Sequence, residues 1–161
     1  MKIRSGFVSN SSSSSFVVVL EKKPNSPEEL KNVLFKDEKV VSYYEYCKTT
    51  EEVSQRIFKG IEQFEKDSSM LLEKIVEGLN NWGWRYEKYK LASGQTDWKK
   101  HDEDREQYIK DEVIPKANKF IETYKNNFIF CVTYGDSGSE VLYERGNIFE
   151  NAIENIRINE H

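Results

Sequence analysis

Six serines crowd into residues 9–15, and the tract runs straight into Phe16-Val17-Val18-Val19-Leu20. That apolar run is short, continuous and β-branched, the pattern of a strand buried on both faces at the centre of a sheet. Ser-rich stretches are ordinarily linkers, but a linker here would tie only eight residues to a central strand. Phe7 and Phe16 flank the serines as anchors. A loop pinned at both ends presents successive backbone N–H groups and hydroxyls, the parts of an anion-binding nest. Arg4 adds the forked guanidinium that suits phosphate. The candidate ligand-binding set is therefore Arg4, Ser9, Asn10, Ser11, Ser12 and Ser13. Gly6 is the only glycine at hand and the Walker spacing is absent, so a Ser-rich turn that satisfies its own backbone is the competing reading. The serines also interrupt the apolar stretch that a signal peptide would need after Met1-Lys2-Ile3-Arg4, so no secretion signal is read.

The rest of the chain alternates recognisable starts and stops. Ser26-Pro27-Glu28-Glu29 supplies a capping Ser, a first-turn Pro and a Glu at the third helical position. The helix it opens carries Leu30, Val33 and Leu34 and should end near Phe35. Residues 40–46 are aromatic and β-branched and read as a second strand. Thr49-Thr50-Glu51-Glu52 is another capping box, opening a helix with Val53, Ile57, Ile61 and Phe64 on one stripe. The stripe resumes at Leu71, Leu72, Ile75, Val76 and Leu79, so one helix or two broken near Asp67-Ser68-Ser69 both fit. Asn80-Asn81-Trp82-Gly83-Trp84 should end or bend it. Residues 93–96 form a loop, Thr96-Asp97 caps the next helix, and Pro115 should kink or restart that helix. Residues 128–134 are the strongest strand. Residues 135–139 then read as a hairpin loop and 141–144 as its partner strand. Asn147 caps a short helix through Ile153, and Ile156-Arg157-Ile158-Asn159 alternates as an edge strand.

The expected fold is α+β: an antiparallel or mixed sheet of about four or five strands built from both chain ends, with a long central helical hairpin on one face. A chain of 161 residues is one domain's worth, with the sheet drawn from 1–50 and 126–161 and the helices from 50–125. Its 9 Phe, 9 Tyr and 3 Trp argue against disorder. Apolar runs fall short of the roughly 20 residues a bilayer span requires. Two cysteines, Cys47 and Cys131, make no disulfide framework and fit a reducing cytoplasm. They have no metal-ligand spacing with the histidines, so no metal and no cofactor are expected. Net charge is −4, and residues 126–161 hold only Arg145 and Arg157 against six acidic side chains. A nucleic-acid binder needs a basic stripe to neutralise phosphates, and the nearest approach is Lys88, Lys90, Lys99 and Lys100 among Tyr86, Tyr89 and Trp98. That group reads as a solvated helix surface, so nucleic acid is disfavoured as a partner.

The opening Met1-Lys2-Ile3-Arg4-Ser5-Gly6-Phe7-Val8-Ser9-Asn10, followed by five serines and Phe16, resembles the start of a group of small uncharacterised proteins of phages and their bacterial hosts. The closing stretch resembles the same group: Asp136-Ser137-Gly138, Leu142 and Glu144 ahead of Gly146, Phe149, then Ile156-Arg157-Ile158-Asn159 and His161. The likeness covers roughly the first 19 and last 27 residues and implies a phage or prophage origin, hence accessory roles in host takeover or defence evasion. It brings no activity with it.

Catalytic constellations are sparse. His101 sits in a charge run, Lys99-Lys100-His101-Asp102-Glu103-Asp104, and reads as surface. If the final strand docks, His161 and Arg157 return toward the serines, with Asp136 near them. That would assemble a phosphate-ester site or, less specifically, a Ser-His-Asp set. Trp82 and Trp84 flank Gly83 at a helix bend and are candidate partner-binding anchors, with core packing as the alternative. The sequence thus points to a cytoplasmic binding protein that contacts a host protein or captures a small phosphorylated ligand. A small phosphoesterase or nucleotide-processing enzyme at the Ser-rich segment is the alternative.

Overall fold

A computed structural model describes residues 13–80, 82, 85–135, 142–143 and 147–160, the side chains of 85, 86, 159 and 160 apart. The fold is α+β, with strands from both chain ends. The chain forms two compact units, one of residues 1–68 with 127–161 and one of residues 69–126.

In the first unit, β1 (Ser13–Leu20) lies between β4 (Phe128–Gly135) and β5 (Glu154–Glu160), antiparallel to both. Phe16 pairs with Val132 on one side and Arg157 on the other. Seven of its eight residues are buried, as the uninterrupted apolar run requires. One sheet face carries Phe16, Val18, Leu20, Phe130, Val132 and Tyr134 into a core with Leu30 and Leu34 of α1 (Pro27–Phe35) and Val53, Ile57 and Ile61 of α2 (Thr50–Lys66). α2 approaches β4 closely at Gly60, where a Cβ would stand 2.7 Å from Val132 Cγ1. Both helices start as their sequences dictate. Ser26 Oγ accepts from the Glu29 N–H at 3.1 Å, and Thr49 and Glu52 close a reciprocal capping box. Val33 alone leaves the expected stripe of α1, at 38% exposed.

Several local expectations change. Residues 40–46 are not one strand but a hairpin, β2 (Val40–Tyr43) paired with β3 (Tyr46–Thr49). Tyr44 turns the chain at φ 52°, a conformation usually left to Gly or Asn, so the turn carries no sequence signal. The five strands among the described residues therefore divide into a three-stranded and a two-stranded sheet. Leu142 and Tyr143, expected in a strand partnering β4, have helical backbone and pack into the core. The expected helix from Asn147 is replaced by successive turns, Glu150 N–H to Asn147 O and Ala152 N–H to Phe149 O, both 3.1 Å. Asn147 itself sits at φ 52° and cannot start a helix there. Lys36, after α1, takes φ 50° and ψ −115° in a turn closed by Glu38 N–H to Phe35 O at 2.9 Å.

The long helix does break at Asp67: a 3-10 turn (Ser68–Met70) leads to α3 (Leu71–Leu79), the first helix of the second unit. A 3-10 segment (Arg85–Tyr89) and α4 (Trp98–Tyr108) follow, with Asp97 Oδ1 capping α4 through the Lys100 N–H at 3.1 Å. Pro115 acts as expected. Five residues, Ile109–Val113, widen into a π-helical turn before α5 (Ile114–Thr123), because the proline ring crowds the carbonyl four residues back. Ile75, Val113 and Ala117 are buried in this unit, and α3 packs on α5.

Candidate functional site

β5 brings Arg157 back to the central strand. It stands opposite Phe16, and Asn155 shares its face, because side chains two apart along a strand point the same way. The turns before β5 lay Ile148 and Phe149 under that face. They are tied by Ile153 N–H to Val19 O at 3.0 Å, Asn155 Nδ2 to Phe149 O at 3.2 Å and Asn151 Nδ2 to Leu34 O at 2.8 Å. The result is a cleft of about 160 Å³. Its floor is Phe16, Tyr143, Ile148 and Phe149, and its rim is Asn147, Glu150, Asn155 and Arg157. The Phe16 and Phe149 rings meet at 5.1 Å, and Tyr143 is fixed by stacking on Tyr134 at 4.6 Å. Lys48 Nζ lies 5.9 Å from the Tyr143 ring. Arg157 and Asn155 are exposed. The cleft therefore joins a guanidinium, a carboxylate and carboxamides to an apolar floor, which suits a polar group on an apolar stem.

Of the predicted ligand set, Arg4, Ser9, Asn10, Ser11 and Ser12 lie outside the described residues, as do Asp136, His161 and Trp84. Ser13 is described and is no loop residue. It opens β1, opposite Gly135 and Glu160. Ser14 and Ser15 continue the strand fully buried, and Ser15 Oγ shares a 2.6 Å hydrogen bond with Thr133 Oγ1 across to β4. Strand pairing thus extends three residues into the serine tract, because hydroxyls can be satisfied across a ladder.

Trp82 is 8% exposed and packed as a core residue of the second unit rather than standing out as an anchor. Its indole N–H donates to His101 Nε2 at 3.1 Å. Indole is a donor only, so Nε2 is the unprotonated nitrogen and Nδ1–H donates to Asp102 Oδ1 at 3.0 Å. Trp82, Tyr89 and Trp98 meet the imidazole edge-on at 5.2–6.0 Å, and Tyr89 OH donates to Asp104 Oδ2 at 3.0 Å. His101 is thus the hub of an aromatic cluster, not surface filler. The spacing of Trp98, His101, Arg105 and Tyr108 along one helical face was the available signal, masked by the charges between them.

A second, larger groove of about 460 Å³ lies along the first turns of α1 and α2, lined by Ser26, Pro27, Glu28, Lys31, Glu51 and Gln55. Its charges answer one another. Lys31 Nζ lies 2.6 Å from Glu51 Oε1, which raises the lysine's pKa and lowers the carboxylate's. Among the described residues no group of three His, Cys, Asp or Glu side chains is placed to hold a metal ion, and no helix is long and apolar enough to cross a membrane. No family model, curated protein or solved structure matches the chain.

Proposed function

We propose that this chain is a phage-type accessory binding protein, serving host takeover or defence evasion, and that it acts by contact with a host protein through the β5 face. The observation that carries the reading is the size and place of the cleft. Small-molecule sites usually occupy roughly 300–1,000 Å³, whereas this one holds about 160 Å³ beside a strand that ends its sheet among the described residues. That volume takes one side chain or one phosphoryl group, not a nucleotide. Arg157 with Asn155 and Asn147 on the rim, beside the Glu150 carboxylate, supports a second reading, capture of a small phosphorylated ligand. A phosphoesterase at the Ser-rich segment, with His161, Arg157 and Asp136 as its candidate residues, is the alternative in another class.

The test uses the tagged chain as bait in bacterial lysate, wild type against Arg157→Glu. In parallel, product analysis follows a panel of nucleotides and cyclic nucleotides. A protein retained by the wild type and lost by the variant, with no turnover, is the expected outcome. Turnover abolished by His161→Ala would overturn the contact reading in favour of the enzyme. Binding of a phosphorylated compound lost on Arg157→Ala, with no protein retained, would favour ligand capture.

A further inference from the structure

We infer that the partner docks as an extended segment, adding itself antiparallel to the outer edge of β5 and setting an acidic side chain against Arg157. This rests on the protein-contact reading above and names the chemistry of the partner. β5 is seven residues long and is the last strand of its sheet; among the described residues nothing pairs with its outer side. Such an edge presents backbone donors and acceptors along its length, the Asn155 N–H meeting Glu154 Oε1 at 3.0 Å. Glu154, Asn155 and Arg157 are exposed along it. The cleft opens on the same face as Arg157 and Asn155, so a side chain of an added strand opposite them projects on the cleft's face.

Charge selects the occupant. In the sequence, acidic residues stand three positions to either side of Arg157, at Glu154 and Glu160. A second copy pairing antiparallel about Arg157 would set Arg157 against Arg157 and each Glu154 against a Glu160. Like charges directly opposed in a ladder are destabilising, so self-pairing in that register is disfavoured. The complementary segment reads basic, acidic, basic at the same spacing, with the acidic residue central.

The test titrates the full chain with the peptide Lys-Thr-Val-Glu-Val-Thr-Lys by calorimetry, with hydrogen exchange of the β5 amides as the structural readout. The wild type should bind, and β5 amides should gain protection. Arg157→Glu should weaken binding about tenfold or more, and a peptide with Lys at the centre should restore it. N-methylation of one alternate set of peptide amides should abolish binding, while methylation of the other set should leave it intact, because only every second amide faces β5. No binding by the wild type, or equal binding by both methylated peptides, would overturn strand addition. If the bait retains a protein through Arg157 and the peptide does not compete, strand addition fails alone. If the bait retains nothing, the contact reading fails with it.

Discussion

The two units of this chain are held by different means. The sheet unit buries an apolar layer between β1, β4 and the helices α1 and α2, with Phe130, Leu20, Leu30, Leu34, Ile57 and Ile61 all sealed from solvent. The helical unit seals few aliphatic residues, and α4 contributes no buried residue. Its order comes instead from rings and directed hydrogen bonds gathered on His101 and Asp104. Area burial is forgiving of chemistry and strict about volume, whereas a donor–acceptor hub is the reverse.

The sharpest way to break this contrast is to empty the sheet core. Phe130→Ala removes a ring that packs against Phe128 and Phe149, and should cost about 3–5 kcal/mol in urea unfolding. A cost under about 1 kcal/mol would mean that the layer is loosely packed. Next, His101→Ala strands the Trp82 indole N–H and should cost about 1–3 kcal/mol. Amide exchange should rise within residues 69–126 and not in β1. His101→Gln, which keeps an acceptor, should recover part of the loss, and equal losses for both variants would show that ring packing alone matters. Lys36→Gly relieves a backbone that L side chains rarely adopt and should raise thermal stability by about 1 kcal/mol. An unchanged midpoint would place no strain there.

The smallest expected effect is the acid response of the sheet unit. The Thr49 backbone N–H holds Glu52 below the usual carboxylate range, the Asn25 backbone N–H does the same for Glu29, and Lys31 does so for Glu51. A depressed folded-state pKa gives stability that is present above the unfolded value and is lost as pH falls through the folded one. Acid should therefore loosen the first turns of α1 and α2, and Glu52→Gln should flatten that part of the stability–pH curve. A curve unchanged by the substitution would remove the capping box from the account.

The sheet unit was the more legible of the two. Caps and stripes are local chemistry, so Ser26, Thr49 and the Val53–Ile57–Ile61 face could be read directly. What escaped the reading depends on contacts far away in the chain or on residues in unfavoured conformations. Tyr44 turns a hairpin where no glycine advertises it, and Gly60 matters only because Val132 packs over it. Arg157 was visible as a returning edge residue. Its cleft was not, since Tyr143 reaches it from helical backbone and Phe149 from a turn, where the sequence presents a strand and a helix. His101 was hidden by the charged residues that share its helix.

The central place of β1 also has a kinetic consequence. Leu20 pairs with Phe128 and Val19 with Glu154, so the central strand waits for partners made more than a hundred residues later. The helical unit lies within a single stretch of chain and can form while the sheet is still open. Through that interval Phe16-Val17-Val18-Val19-Leu20 is the segment most able to pair with another nascent chain. The serines beside it act as gatekeepers, lowering the hydrophobicity of one end of the strand while remaining compatible with its final place in the ladder.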